Sequence, residues 1–87
     1  MSENRGHEQL FSVISKLSNP EEVGDFLTDL CSLHELDSMT QRLNAANMLL
    51  NGKTYENIIK ETGISSKTLS RISKCVKQGR GYSKLIK

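Results

Sequence analysis

The chain has 87 residues, 36% hydrophobic and only 5% aromatic, with a formal net charge of +2. That length supports one small domain, and a chain of this size buries only about 60–65% of its unfolded surface, so its own core is marginal and a second copy is expected to add partner surface. No apolar run approaches the roughly 18 residues of a membrane span; the start MSENRGHEQ has no signal-peptide core, and two cysteines, Cys31 and Cys75, suit a reduced cytoplasmic protein better than a disulfide framework.

Residues 1–6 are expected to be disordered. A first helix is predicted from about His7 to Leu17, with Leu10, Ile14 and Leu17 on one face and Phe11 and Val13 flanking it. Ser18-Asn19-Pro20-Glu21-Glu22 is a break followed by a start: Asn19 as N-cap, Pro20 at the first helical position, acids in the first turn. The second helix then carries Val23, Phe26, Leu27 and Leu30 on one stripe. Ser32 and Glu35 have capping-box spacing and open a third helix that runs to about Asn51. Along it Leu36, Met39, Leu43, Ala46 and Leu50 form a coiled-coil-like seam, and Leu33, Met48 and Leu49 widen the apolar surface. Residues 7–51 are therefore assigned to dimerisation helices.

Residues 54–78 read as a helix-turn-helix. Thr54 caps a fourth helix whose Tyr55, Ile58, Ile59 and Thr62 recur at helical spacing, and Gly63 supplies the left-handed residue that a helix C-terminus favours. Ile64 is an apolar plug and Ser65 an N-cap for the fifth helix. On that helix Leu69, Ile72 and Val76 share one face, while Lys67, Ser70, Arg71, Lys74 and Gln78 gather on the other. Ile59, four residues before the turn glycine, is larger than the small residue usual there. No period-two alternation suggests a strand, so the fold class is all-α with about five helices.

Charge sharpens the functional reading. Residues 1–40 hold Arg5 and Lys16 against eight acids, a balance of −6, while residues 41–87 hold ten bases against Glu56 and Glu61, a balance of +8. Such asymmetry points to a polyanionic partner at the basic end. A membrane surface is the weaker candidate, because the basic helix lacks the Trp, Phe and Leu face that inserts into lipid. Double-stranded DNA is the stronger one, read by a second helix set in the major groove. Two plainer readings stand beside it: a helical hairpin with a solvated lysine face, and a protein-interaction adapter docking through the acidic half. The tail, residues 79–87, reads either as a frayed terminus or as a basic arm on the DNA backbone.

Other constellations carry less. Cys31 and His34 have metal-ligand spacing but lack two further ligands nearby. Asp25 and Asp29 lie four residues apart without a nucleophile or glycine-rich loop, so nothing supports an enzyme, and no resident cofactor or metal is expected. Arg42 has a structural reading as the partner of Asp37 or Glu35, and Arg71 as a phosphate contact.

Three runs resemble the tryptophan-repressor superfamily, and within it the small YerC/YecD-type branch. They are L-T-D-L-C-S-L-H-E-L-D-S-M (27–39), Q-R-L-N-A-A-N-M-L-L-N-G (41–52) and E-T-G-I-S-S-K-T-L-S-R-I-S (61–73). The resemblance implies an intertwined helical homodimer that represses transcription at palindromic operators. It places Ser66, Lys67 and Ser70 toward base edges, and Lys60 with the amides near Thr54 toward phosphates; Arg71, Lys74 and Lys77 complete the expected DNA face. It also implies a small-molecule effector, an amino acid for instance, held between Arg42 and Arg71. Two departures argue against tryptophan itself: Ile72 stands where the tryptophan-binding members have glycine, and Cys75 where they have a serine. No counterpart of the family's C-terminal dimer helix is read after Gly81.

Overall fold

The computed structural model describes residues 6–86. Over these the chain is all-helical, without strands: α1 (Glu8–Ser15), α2 (Pro20–Leu30), α3 (Leu33–Leu50), α4 (Tyr55–Thr62), α5 (Ser66–Gln78) and α6 (Tyr82–Leu85). Of residues 1–6, expected to be disordered, 1–5 lie outside the described residues and Gly6 stands in a turn. Two compact units divide the chain after Leu36, and α3 runs through the boundary.

In the first unit the helix starts are set by local chemistry. Asn19 Oδ1 accepts from the Glu22 amide at 2.9 Å, and the Glu22 carboxylate in turn accepts from the Ser18 amide at 2.8 Å, so two otherwise unpartnered amides are satisfied at the start of α2. The capping box at α3 is reciprocal: the Ser32 amide donates to Glu35 Oε1 at 2.7 Å and the Glu35 amide donates to Ser32 Oγ at 3.1 Å. The Ser32 amide, and after it the Ser32 side chain, hold the Glu35 carboxyl below its ordinary value. With the folded value depressed, this contribution is present above the unfolded value and is lost as pH falls through the folded one. Neither α1 nor α2 has a fully buried residue; Phe26 and Leu27 are half-buried, while Phe11 is 48% and Leu30 53% exposed, so each apolar stripe lies partly on the surface of this unit. The first helix ends at Ser15, short of the expected Leu17.

The second unit contains the buried core. Ala45 and Ala46 of α3, Ile58 of α4, Ile64 of the turn, and Leu69 and Ile72 of α5 form one cluster, with Met48, Leu49, Ile59 and Val76 packed around it. The two alanines have no accessible surface. Having nothing beyond Cβ, they give room on α3 for the larger side chains of α4 and α5, and Ile59 packs at the edge of the cluster. Of the predicted α3 seam only Ala46 is buried; Leu43 and Leu50 remain exposed because the Ala45-Met48-Leu49 face is the one turned to the core.

The tail, expected as a frayed terminus or a basic arm on the DNA backbone, contains a short helix packed on the core, which is not a frayed end. After α5 the chain turns at Gly79, whose backbone is extended, and α6 follows with Tyr82 and Ile86 packed against the core. A Cβ at Gly79 would fall on the Cys75 carbonyl, so this close approach requires glycine, whereas a Cβ at Gly81 would meet nothing. Gly79→Ala is therefore expected to lower the urea midpoint by the equivalent of about 1–3 kcal/mol, and Gly81→Ala by less than about 0.5 kcal/mol. Equal midpoints for the two variants would refute this account of the turn.

Candidate nucleic-acid interface

The helix-turn-helix is assembled from short-range bonds. Thr54 Oγ1 accepts from the Asn57 amide at 3.2 Å and starts α4. At its end Gly63 adopts φ 75°, ψ 6°, and its amide closes on the Ile59 carbonyl at 2.9 Å. This left-handed conformation costs any residue with a Cβ, which is why glycine stands there. Thr62 Oγ1 donates to the Ile58 carbonyl at 2.7 Å and accepts from the Ile64 amide at 3.2 Å, fixing the chain on both sides of the glycine. Ile64 then plugs the core, and Ser65 Oγ accepts from the Thr68 amide at 3.1 Å to start α5. From α3, Gln41 Nε2 donates to the Thr62 carbonyl at 3.0 Å.

With its start set by Ser65, α5 divides into two faces. Leu69, Ile72 and Ser73 are buried, while Ser66, Lys67, Ser70, Arg71, Lys74 and Lys77 are exposed. Lys67, Thr68, Ser70, Arg71 and Lys74 line an open recess of about 520 Å³. Every charged residue on it is cationic, and no acid follows Glu61 in the chain. Lys60 is exposed in the last turn of α4. Thr68 was not among the expected site residues; the signal for it was the Ser-x-x-Thr spacing, since Ser65 Oγ also donates to Thr68 Oγ1 at 2.9 Å.

The candidate effector residues are less tightly assembled. Arg71 belongs to the α5 recess and Arg42, exposed on α3, does not line it. Glu35 is engaged by Ser32, not by Arg42. Ile72 is only 2% exposed, so its side chain belongs to the core. Cys75 is half-buried and lines a separate apolar cavity of about 490 Å³ with Leu43, Tyr82, Leu85 and Ile86. That cavity was not foreseen, because it exists only where α6 folds back.

Comparison with known proteins agrees with this geometry. The family described as Trp repressor protein matches residues 5–86. The uncharacterised protein YerC of Bacillus subtilis (strain 168) is 46% identical over 77 residues, covering 86% of this chain and 74% of that protein. A crystal structure of a candidate Trp repressor from Staphylococcus aureus has a TM-score of 0.84 at 36% identity, covering 93% of this chain and 82% of that one. A TrpR-like protein from Eubacterium eligens ATCC 27750 has a TM-score of 0.87 at 34% identity, covering 98% and 91%.

The turn and the cap can be tested apart from any ligand. Gly63→Ala is expected to destabilise by about 1–2 kcal/mol through its left-handed backbone, and Ser65→Ala by about 1 kcal/mol through loss of the α5 cap. Chemical denaturation measures both; a neutral Gly63→Ala would mean that the elbow is not held as described.

Proposed function

The chain belongs to the Trp repressor protein family, and on that premise we propose that it is a homodimeric repressor which reads a palindromic operator through the outer face of α5. That the chain is a DNA-binding regulator and not an enzyme follows from the family. The finer reading draws its support from one observation: α5 commits its inner face to the core and exposes an outer face on which every charged residue is cationic.

Each residue then has a role set by its chemistry. Lys67, at the start of α5, donates to guanine O6 or N7, the acceptors that a lysine can distinguish in the major groove. Ser66 and Ser70 bond to base edges beside it. Lys60, Lys74 and Lys77 neutralise phosphates, which supplies most of the affinity but no sequence information. Arg71 contacts a phosphate or, with Arg42, a small-molecule effector; Ile72 and Cys75, standing where the tryptophan-binding members have glycine and serine, favour an effector other than tryptophan. The dimer is supported by α1 and α2, neither of which has a fully buried residue, and by exposed Leu10, Phe11, Ile14 and Leu30. The same exposed apolar residues favour a second copy over an adapter role resting on acidic charge alone.

Selection of bound fragments from random duplexes is expected to recover an inverted repeat with half-sites about one helical turn apart; recovery of no preferred sequence would overturn the reading. On that repeat, Lys67→Ala is expected to cost about 1–3 kcal/mol of discrimination at a single base pair. Lys74→Ala should weaken all duplexes alike and reduce the salt slope by about one. Fluorescence anisotropy across a salt series separates the two effects.

A further inference from the structure

Most hydrogen bonds of the second unit close within one helical turn, but one side chain reaches across the fold. Gln41 Nε2 of α3 donates to the Thr62 carbonyl at 3.0 Å, linking residues 21 apart in sequence. A carbonyl can only accept, so it is the amide nitrogen of Gln41 that faces it. Thr62 is the last residue of α4 and directly precedes the Gly63 elbow, where helical carbonyls lose their intrahelical donors. The hydroxyl of Thr62 is already engaged with Ile58 and Ile64. Gln41 therefore attaches α3 to the residue immediately before the elbow that leads into α5.

The remaining attachment of α3 to the motif is apolar, with Ala45 and Ala46 at its centre and Met48 and Leu49 packed beside them. Apolar burial is non-directional. These contacts hold the motif close to α3 without the directionality of a hydrogen bond. A hydrogen bond prefers one distance and one angle. We propose that Gln41 is a positioning residue for operator recognition, fixing the pitch of α5 relative to α3. This rests on the DNA-reading function proposed above. In a dimer built on α3, the pitch at each elbow decides whether both copies of α5 meet half-sites one helical turn apart. Non-specific contacts with phosphate tolerate an error in pitch, because any stretch of duplex offers charge. Paired base-edge contacts do not.

The test compares Gln41→Met, which keeps length and removes the donor, with Gln41→Lys, which restores one. Each is titrated against the selected inverted-repeat duplex and against a scrambled duplex of equal length. Two elbows per dimer, each losing a hydrogen bond, are expected to raise the Kd of Gln41→Met for the repeat by about tenfold. Its Kd for the scrambled duplex should change by less than about twofold, with an unchanged salt slope. Gln41→Lys is expected to recover most of the ratio between the two duplexes. In the absence of DNA, amide exchange at Gly63 and Ile64 should quicken in Gln41→Met and not in Gln41→Lys. Wild-type protein that prefers no duplex would sink the repressor reading and this proposal together. Wild-type preference with equal losses on both duplexes, or unchanged exchange at the elbow in Gln41→Met, would sink this proposal alone.

Discussion

The packing of α4 and α5 around Ile58, Ile64 and Leu69, against a part of α3 reduced to two alanines, is the constraint on which the second unit depends. Ile58 and Leu69 are its largest fully buried side chains, and both come from the helix-turn-helix itself. Because the elbow at Gly63 is left-handed, the chain reverses quickly enough for Ile64 to enter the same cluster. Truncating Leu69 would remove contacts from both helices at once, a class of change that costs about 2–5 kcal/mol in a packed core. The cationic face has no such role, since the side chains that define it lie outside the cluster.

This separation matters for function. A residue on the outer face of α5 can change without disturbing the core, so the chemistry of that face and the stability of the fold are nearly independent properties of one helix. Exposed substitutions away from caps and cores usually alter stability by no more than about 0.5 kcal/mol. The exception is the first turn, where Ser65 and Thr68 bond to each other as well as capping the helix. Sequence drift in a regulator of this family would be expected to spare those two positions and fall on Lys67, Ser70 and Lys74.

Much of the fold was legible because its signals are local. Asn19, the Ser32–Glu35 pair, Thr54, Ser65 and Gly63 each act within three or four residues, and each performs its expected part in the structure. The two faces of α5 follow from helical geometry alone. The features that were not legible depend on residues distant in sequence. The folded-back α6 requires Tyr82 and Ile86 to find a core formed by α3, α4 and α5. The α3 seam was a sound periodic pattern, yet periodicity does not say which neighbour a stripe meets, and Ala45 rather than Leu43 proved to face the core. Gln41 carries no motif, and its meaning appears only when Thr62 is brought beside it.

The approach of Gly79 to the carbonyl of Cys75 has a bearing on size as well as on stability. A helix gains about 1.5 Å with each residue, and the extended backbone at Gly79 stops α5 at Gln78 after 13 residues. Glycine at that point thus acts as a ruler, fixing where α5 stops and leaving any change of length to be absorbed elsewhere in the chain.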